Sequence, residues 1–346
     1  MLSSSSEKFS QPKVEPLISI VTGIYNSSRF LKSYFQMLDL QTFRNWEALL
    51  VDDGSNDDSC SLIEEKCKAD PRYRLIRKKA EGFPSRSRAV GLAQARGLYV
   101  AFCDHDDFWA PQKLEFQLAV LQRFKDASIV HTDRFVWSGE NHPSEYFRFD
   151  GGIEKVPVRQ QQPEEVIYRG LRIIFSSFIG HTELVRKVGF HPDMKGVDDF
   201  YLFVRLAQMG SIYHVELPLT YYSAHLGNLS FEKNIFVEGF YKVSEVLNID
   251  DVPQIAKDSI RSQALRTEAV SLFSSDRRRA LQLLWMSLRL YFIPSTLTRL
   301  MVLLVTFPIP LLLQKHVMKW IKFVKFKIPT FRDLWLLFSK SGSKRD

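Results

Sequence analysis

Two strand-like apolar runs end in bursts of carboxylate: Trp46 to Val51 runs into VDDGSND, and Leu98 to Cys103 runs into DHDDFW. In open sheets whose parallel strands are joined through helices, side chains at the carboxyl ends of the strands line the ligand crevice. The acids therefore stand where such a fold does its chemistry. The rest of the first half keeps the matching rhythm. Leu17 to Thr22 is a short apolar strand, followed by an amphipathic helix from about Arg29 to Leu40; Asp58 to Ala69 is a second helix, Tyr73 to Arg77 a third strand and Ser85 to Ala95 a third helix. Pro111 opens a further helix reaching about Phe124, and Ser128 to Thr132 is one more strand. Strands alternating with helices predict an α/β protein built on a mainly parallel sheet with helices on both faces. The polar stretch from Ser138 to Pro163 reads as a loop or insertion, and periodicity returns near Ile167.

In the first acidic turn, Asp52, Asp53, Gly54 and Ser55 follow a buried strand, and Gly54 permits a positive φ. A carboxylate there can accept hydrogen bonds from a base or a ribose, or it can close an Asx turn that caps the next helix. In the second, Asp104, Asp106 and Asp107 lie within four residues. Like charges this close repel by about a kcal/mol or more unless a cation is shared. Clustered carboxylates at a strand end suit a divalent cation and a phosphorylated ligand.

The order of Tyr25 and Asn26 after the first strand, VDDGS, EGFPSRSRAVGLAQARG with Arg88, and DHDD before Phe108, Trp109 and Pro111 resembles the family 2 glycosyltransferases. The likeness runs from about Pro16 to Gly227. It departs at Ser87, Arg88, Ala89, where the family usually has Ala-Arg-Asn, and at His105, which stands inside the Asp-x-Asp formed by Asp104 and Asp106. The resemblance implies a GT-A fold, Rossmann-like, over residues 16–230. It implies that Asp52, Asp53, Tyr25, Arg88 and Asp104 meet the nucleotide-sugar, and that Asp106 and His225 hold Mn²⁺ or Mg²⁺ against the diphosphate. In GVDDFYLFVRLAQMG the family's Glu-Asp motif is written Asp198-Asp199, at the start of a helix with an apolar stripe. This implies Asp199 as the general base of an inverting transfer, with Asp198 on the acceptor side. His181, after a buried strand, lies where the family places acceptor-facing residues.

Outside that module, residues 1–15 read as a disordered leader without the apolar region of a secretory signal. Cys60, Cys67 and Cys103 fit neither a disulfide framework nor a zinc site, which favours a reducing compartment. Net charge is +8, and the basic excess gathers after Arg277, where Lys and Arg flank the long apolar stretches LYFIPSTLT and LMVLLVTFPIPLLL. Such apolar stretches call for lipid rather than nucleic acid. Leu300 to Gln314 lacks charge but, at 15 residues with Pro308 and Pro310, is shorter than a comfortable span of roughly 20. Lys315 to Lys327 has the pattern of a helix lying on anionic lipid; a helix hairpin packed on the catalytic domain is the alternative. Residues 231–346 are thus expected to be a helical, basic and apolar membrane-associating region.

Together these readings predict an inverting glycosyltransferase at the cytoplasmic face of the inner or plasma membrane. It would move a sugar from a nucleotide-sugar, with a UDP-sugar foremost, to a lipid-linked saccharide in surface polysaccharide or O-antigen assembly. A polyprenyl-phosphate sugar synthase and a nucleotide-sugar-binding protein without turnover are the competing expectations. Donor sugar, acceptor and linkage are matters of pocket shape that composition does not encode.

Overall fold

A computed structural model of the chain describes residues 15–137, 149–163, 165, 173–191, 194, 196–225, 233–249, 254–272 and 275–290. The leader, the first part of the Ser138 to Gln162 segment (residues 138–148) and the apolar basic tail after residue 290 lie outside the described residues.

The chain begins β1 (Ile18–Ile24), α1 (Ser28–Asp39), β2 (Trp46–Asp52), α2 (Ser59–Ala69), β3 (Tyr73–Arg77), α3 (Pro84–Gln94) and β4 (Tyr99–Phe102). The two-residue β5 (Phe108–Trp109), α4 (Lys113–Arg123), β6 (Ala127–Trp137), β7 (Val158–Gln161), β8 (Phe178–His181) and α5 (Thr182–Val188) follow. Then come α6 (Asp198–Ala207), β9 (Ser211–Ser223), α7 (Lys233–Ile249), α8 (Gln254–Leu272) and α9 (Arg277–Leu290). The strands form one sheet in the order β3-β2-β1-β4-β8-β6-β9-β5, with β7 also on β9.

β2 is buried at every position and β1 at all but one, as strands covered on both faces should be. Alternate side chains feed opposite layers. Ile18, Ile20, Ala48 and Leu50 join Leu31, Tyr34 and Met37 of α1 and Leu114 and Leu121 of α4 on one face. Val21, Leu49, Val100 and Phe102 join Leu92 of α3, Val185 of α5 and Leu202 and Phe203 of α6 on the other. Pairings β3·β2, β2·β1 and β1·β4 are parallel, as the alternation predicts.

Beyond β4 the sheet departs from the mainly parallel expectation. β8 runs antiparallel to both β4 and β6, and β5 and β7 run antiparallel to β9; β6·β9 alone is parallel there. The fold is therefore mixed α/β. The polar segment expected as loop holds β7, whose sequence VRQQ has no apolar run to announce it because it pairs only at the sheet's margin, on β9. The β6·β9 ladder slips where Asp133 stands against Glu216 to Leu219, a stretch in which Pro218 has no N–H to donate.

At the edge opposite the acidic turns, Glu47 is buried and bound by Arg96, Arg74 and the Ser19 hydroxyl. Burial alone would raise its carboxyl, but the Arg96 hydrogen bonds lead the opposing effects and hold it below the usual range. Gly97 is pressed into the same corner: a Cβ there would lie 2.6 Å from Ser19 N, 2.8 Å from Ile18 C and 2.9 Å from Tyr99 O. All three are backbone atoms and none can rotate away. Gly97→Ala is expected to destabilise the fold by about 2–3 kcal/mol, read as a lower urea midpoint with an unchanged slope.

The C-terminal helices are not a separate body. Phe240 and Val243 of α7 and Ile260 and Ala264 of α8 bury themselves against Met194, Val197, Phe200 and Val204, the last two on α6. Among the described residues no helix is long and apolar enough to cross a membrane.

Candidate functional site

The carboxyl edge of the parallel half collects the acidic turns. Asp52 closes an Asx turn, accepting from Gly54 N at 3.1 Å and Ser55 N at 3.2 Å; Gly54 takes φ +80°, and a Cβ on it would strike Ala80. Asp53 is buried and anchors the loop after β3. Its Oδ1 accepts from the Lys78 ammonium and from Glu81 N at 2.9 Å, and its Oδ2 from Gly82 N at 2.8 Å. That leaves one acceptor position on Oδ2 for a ligand, so its first duty is to shape the loop. Asp57 is structural as well: hydrogen bonds from Ser59 and Ser28 overcome the effect of burial and hold its carboxyl at about 2, tying α1 to α2. Tyr25 is 57% exposed beside Asn26, a non-glycine residue at positive φ. Its ring is available to stack on a ligand.

After β4 the three neighbouring carboxylates point to three different partners rather than converging. Asp104 Oδ1 accepts from Arg88 Nη2 at 2.7 Å, and its backbone N–H donates to Ser176 Oγ at 3.0 Å. Asp106 Oδ2 lies 2.8 Å from His225 Nε2, joining residues 119 apart. Burial alone would raise the Asp106 carboxyl, but the His225 hydrogen bond, with the charge of His105 next, holds it below the usual carboxylate range. Phe30 lies against both imidazoles, 5.4 Å from His105 and 5.2 Å from His225, and His105 Nδ1 sits 3.3 Å from Gly23 O. Asp107 is sealed in the interior, where Oδ1 accepts from Ser223 N at 2.9 Å. Burial, then the charges of Asp106 and Asp104, push its carboxyl well above the ordinary value, which weakens the repulsion anticipated for this cluster.

Arg88 is the hinge of the arrangement. It is 8% exposed, packs 4.1 Å over the Phe175 ring, and reaches Asp104 with Nη2 and Asp198 Oδ2 with Nη1 at 2.9 Å. Burial disfavours its charge, but Asp104 and Asp198 more than offset this and raise its pKa. The cation expected to meet base or phosphate is thus engaged by two carboxylates. Asp198 does not cap α6 through its side chain; Val197 is the N-cap and Asp198 pairs with Arg88. Burial raises Asp198 above the ordinary range although Arg88 opposes it. Its neighbour Asp199 makes no ion pair among the described residues and accepts from Phe200 N at 2.7 Å. Burial, then the Asp198 charge, lifts its carboxyl from 3.8 to about 7. A carboxyl so placed can take a proton at neutral pH.

Tyr25, Asp52, Asp53, Arg88, Asp104, Asp106, Asp198, Asp199 and His225 all belong to this edge, but His181 does not. β8 is antiparallel to β4 and pairs His181 with Tyr99, at the start of β4, roughly 16 Å along the strand from Asp104. Its ring packs 4.8 Å from that of Tyr99, and burial lowers its pKa. The acceptor-side expectation for His181 is corrected by the strand's direction.

Lys78, Phe30, Phe175 and Ser176 were not singled out by sequence. A basic residue shortly after a strand end is the one signal that could have found Lys78; Phe175 and Ser176 sit in an apolar run, IIFSSFIG, that announces only a core. Asp106 and His225 form an oxygen and imidazole pair that fits Mn²⁺ or Mg²⁺ as two of its ligands. Among the described residues no group of three or more His, Cys, Asp or Glu is gathered to hold a metal without further donors.

A family model described as glycosyl transferase family 2 matches residues 19–188. An uncharacterized glycosyltransferase of Rickettsia conorii is 37% identical over 234 residues, which is 67% of this chain and 37% of that protein. The chain spans 23% to 41% of the length of four curated relatives. The crystal structure of S. aureus TarS 1–349 in complex with UDP-GlcNAc aligns with TM-score 0.60 at 20% identity, covering 82% of this chain and 83% of that one. Mannosyltransferase PcManGT from Pyrobaculum calidifontis, in complex with GDP-Man and Mn²⁺, aligns with TM-score 0.57 at 15% identity, covering 84% and 85%. At these identities the two structures establish a common fold.

Proposed function

Because residues 19–188 place this chain in glycosyl transferase family 2, we propose that it is an inverting, nucleotide-sugar-dependent transferase of GT-A fold. Its donor is a UDP-sugar and its acceptor a lipid-linked saccharide, as in surface polysaccharide or O-antigen assembly at the cytoplasmic face of a membrane. The observation that carries the reading is the Arg88 bridge, which brings Asp104 of the donor turn and the Asp198-Asp199 helix start to one place. The UDP-GlcNAc complex of a structural neighbour supports the donor class. The apolar basic tail supports the lipid acceptor.

Asp199 takes the proton of the acceptor hydroxyl as that oxygen bonds to the anomeric carbon, and the bond from that carbon to the diphosphate breaks. Nucleoside diphosphate leaves on the opposite face. One displacement inverts the centre and needs a single base. Tyr25 and Asp53 position the nucleotide, and Arg88 keeps Asp104 and Asp198 in register. Asp106 and His225 would hold the divalent cation, which when bound neutralises charge on the diphosphate. Of the two ions, the imidazole favours Mn²⁺ over Mg²⁺.

The test is release of nucleoside diphosphate from UDP-, GDP- and dTDP-sugars in detergent, with lipid-linked saccharide or bare polyprenyl phosphate supplied as acceptor. Release should require Mn²⁺ or Mg²⁺, stop on chelation, and fall by about a hundredfold or more in Asp106→Ala. Product on bare polyprenyl phosphate would make the chain a polyprenyl-phosphate sugar synthase. Nucleotide binding without turnover on any acceptor would overturn the transferase assignment.

A further inference from the structure

α9 departs from the rule that a surface helix turns polar side chains outward. Its inner stripe, Ala280, Leu283, Leu284 and Ser287, is buried, with Leu265 and Ala269 of α8 in the same cluster and Ser287 Oγ 2.7 Å from Ser262 Oγ. Its outer face presents Arg278, Arg279, Trp285, Met286, Arg289 and Leu290, all exposed. Trp285 is 53%, Met286 46% and Leu290 39% exposed, so three apolar side chains share one face instead of standing singly. The helix, RRRALQLLWMSLRL, contains no carboxylate. The Arg289 guanidinium lies 5.4 Å from the Trp285 ring centroid, so cation and aromatic share one patch. From Arg278 to Arg289 the face extends roughly 16 Å along the axis.

We propose that this face of α9 seats the protein on an anionic lipid surface, with Trp285, Met286 and Leu290 entering the headgroup boundary and Arg278, Arg279 and Arg289 meeting lipid phosphates. The inference rests on the membrane-located reading above and names the surface that makes the contact. Charge complementarity selects lipid as the occupant: a helix with three exposed arginines, no carboxylate of its own and an exposed tryptophan matches a negative interface. Continuity of sequence agrees, since α9 ends nine residues before the uncharged run Leu300 to Gln314, itself followed by the lysine-rich Lys315 to Lys327. A helix seated on lipid immediately before such a stretch would keep the protein at the surface in which an acceptor's lipid end is anchored.

Flotation of the full chain with phosphatidylcholine vesicles, with and without phosphatidylglycerol, tests this. Wild type should bind the anionic vesicles more tightly. Arg278→Gln/Arg279→Gln/Arg289→Gln should lower partitioning onto them by about a hundredfold, each arginine giving roughly a fivefold factor. Trp285→Ser should lower it severalfold on both compositions, with the helical circular dichroism of both variants unchanged. Wild type that ignores both vesicles would overturn the membrane reading and this inference with it. Variants that float as wild type does would overturn the α9 assignment alone. Wild type that self-associates in solution and is dispersed by Trp285→Ser would assign the face to a second copy instead. Failure of sugar transfer leaves all of these readouts intact.

Discussion

Asp199→Asn lowers turnover by about a thousandfold while leaving donor affinity within about twofold, because a positioned general base contributes on the order of 10²–10⁴ in rate and the nucleotide is held elsewhere. The pH dependence identifies the group. Asp199 works without its proton, and burial with the Asp198 charge sets its carboxyl at about 7. Wild-type turnover should therefore rise with pH through a limb near 7, and the residual rate of the variant should not follow it. Stability moves in the opposite direction. A carboxyl raised from 3.8 to about 7 supports the fold fully below its unfolded value, and that contribution is lost as pH climbs through the folded one. The Asn variant should therefore gain on wild type in urea midpoint between about pH 4 and pH 8. Low turnover in a protein of undiminished stability separates a missing base from a misfolded one. Wild-type turnover in the variant would remove Asp199 from the role.

Arg88→Met is expected to destabilise the fold by about 3–5 kcal/mol, since it strips the shared cation from two carboxylates at once and strands Asp198 in the interior. The deficit should depend on pH. Without Arg88, Asp198, already raised by burial, would rise further and bind a proton, so urea midpoints should differ more at pH 8 than at pH 5.5. Arg88→Lys keeps the charge but lacks the planar fork that serves Asp104 and Asp198 together, and should fall between wild type and Met. Turnover should follow the same order, measured below each variant's unfolding transition. Equal midpoints in wild type and Arg88→Met would show that the bridge is not what joins the donor turn to α6.

The parallel half was legible because β1 and β2 are almost wholly buried runs, and such runs read as strands without any tertiary information. β7 was not, since VRQQ at the sheet's margin carries neither an apolar run nor strict alternation. For β8 the buried strand could be read, but its direction could not. Direction is decided by partners at β4 and β6, and it alone moved His181 to the far edge. At the site, acids at strand ends are visible in the sequence because position and residue type coincide. Their partners are not: Arg88 and Asp198 are 110 residues apart, and Asp106 and His225 are 119 apart. Local patterning predicted a cluster of carboxylates around one cation, whereas the fold gives each of three neighbours its own counterpart. The resemblance points to Arg88 and Asp199 by motif, but the two ion pairs of Arg88 exist only in the folded chain.

Phe200 and Val204 of α6 share an apolar cluster with α7 and α8, within about one and a half turns of the residue proposed to accept the proton. For anyone recombining domains of such enzymes, the cut suggested by sequence near residue 230 falls in the wrong place. A transplant that carries α6 but leaves α7 and α8 behind would expose two large side chains on the helix that aims Asp199. Because α9 in turn covers Leu265 and Ala269 of α8, the smallest exchangeable module runs from β1 through α9.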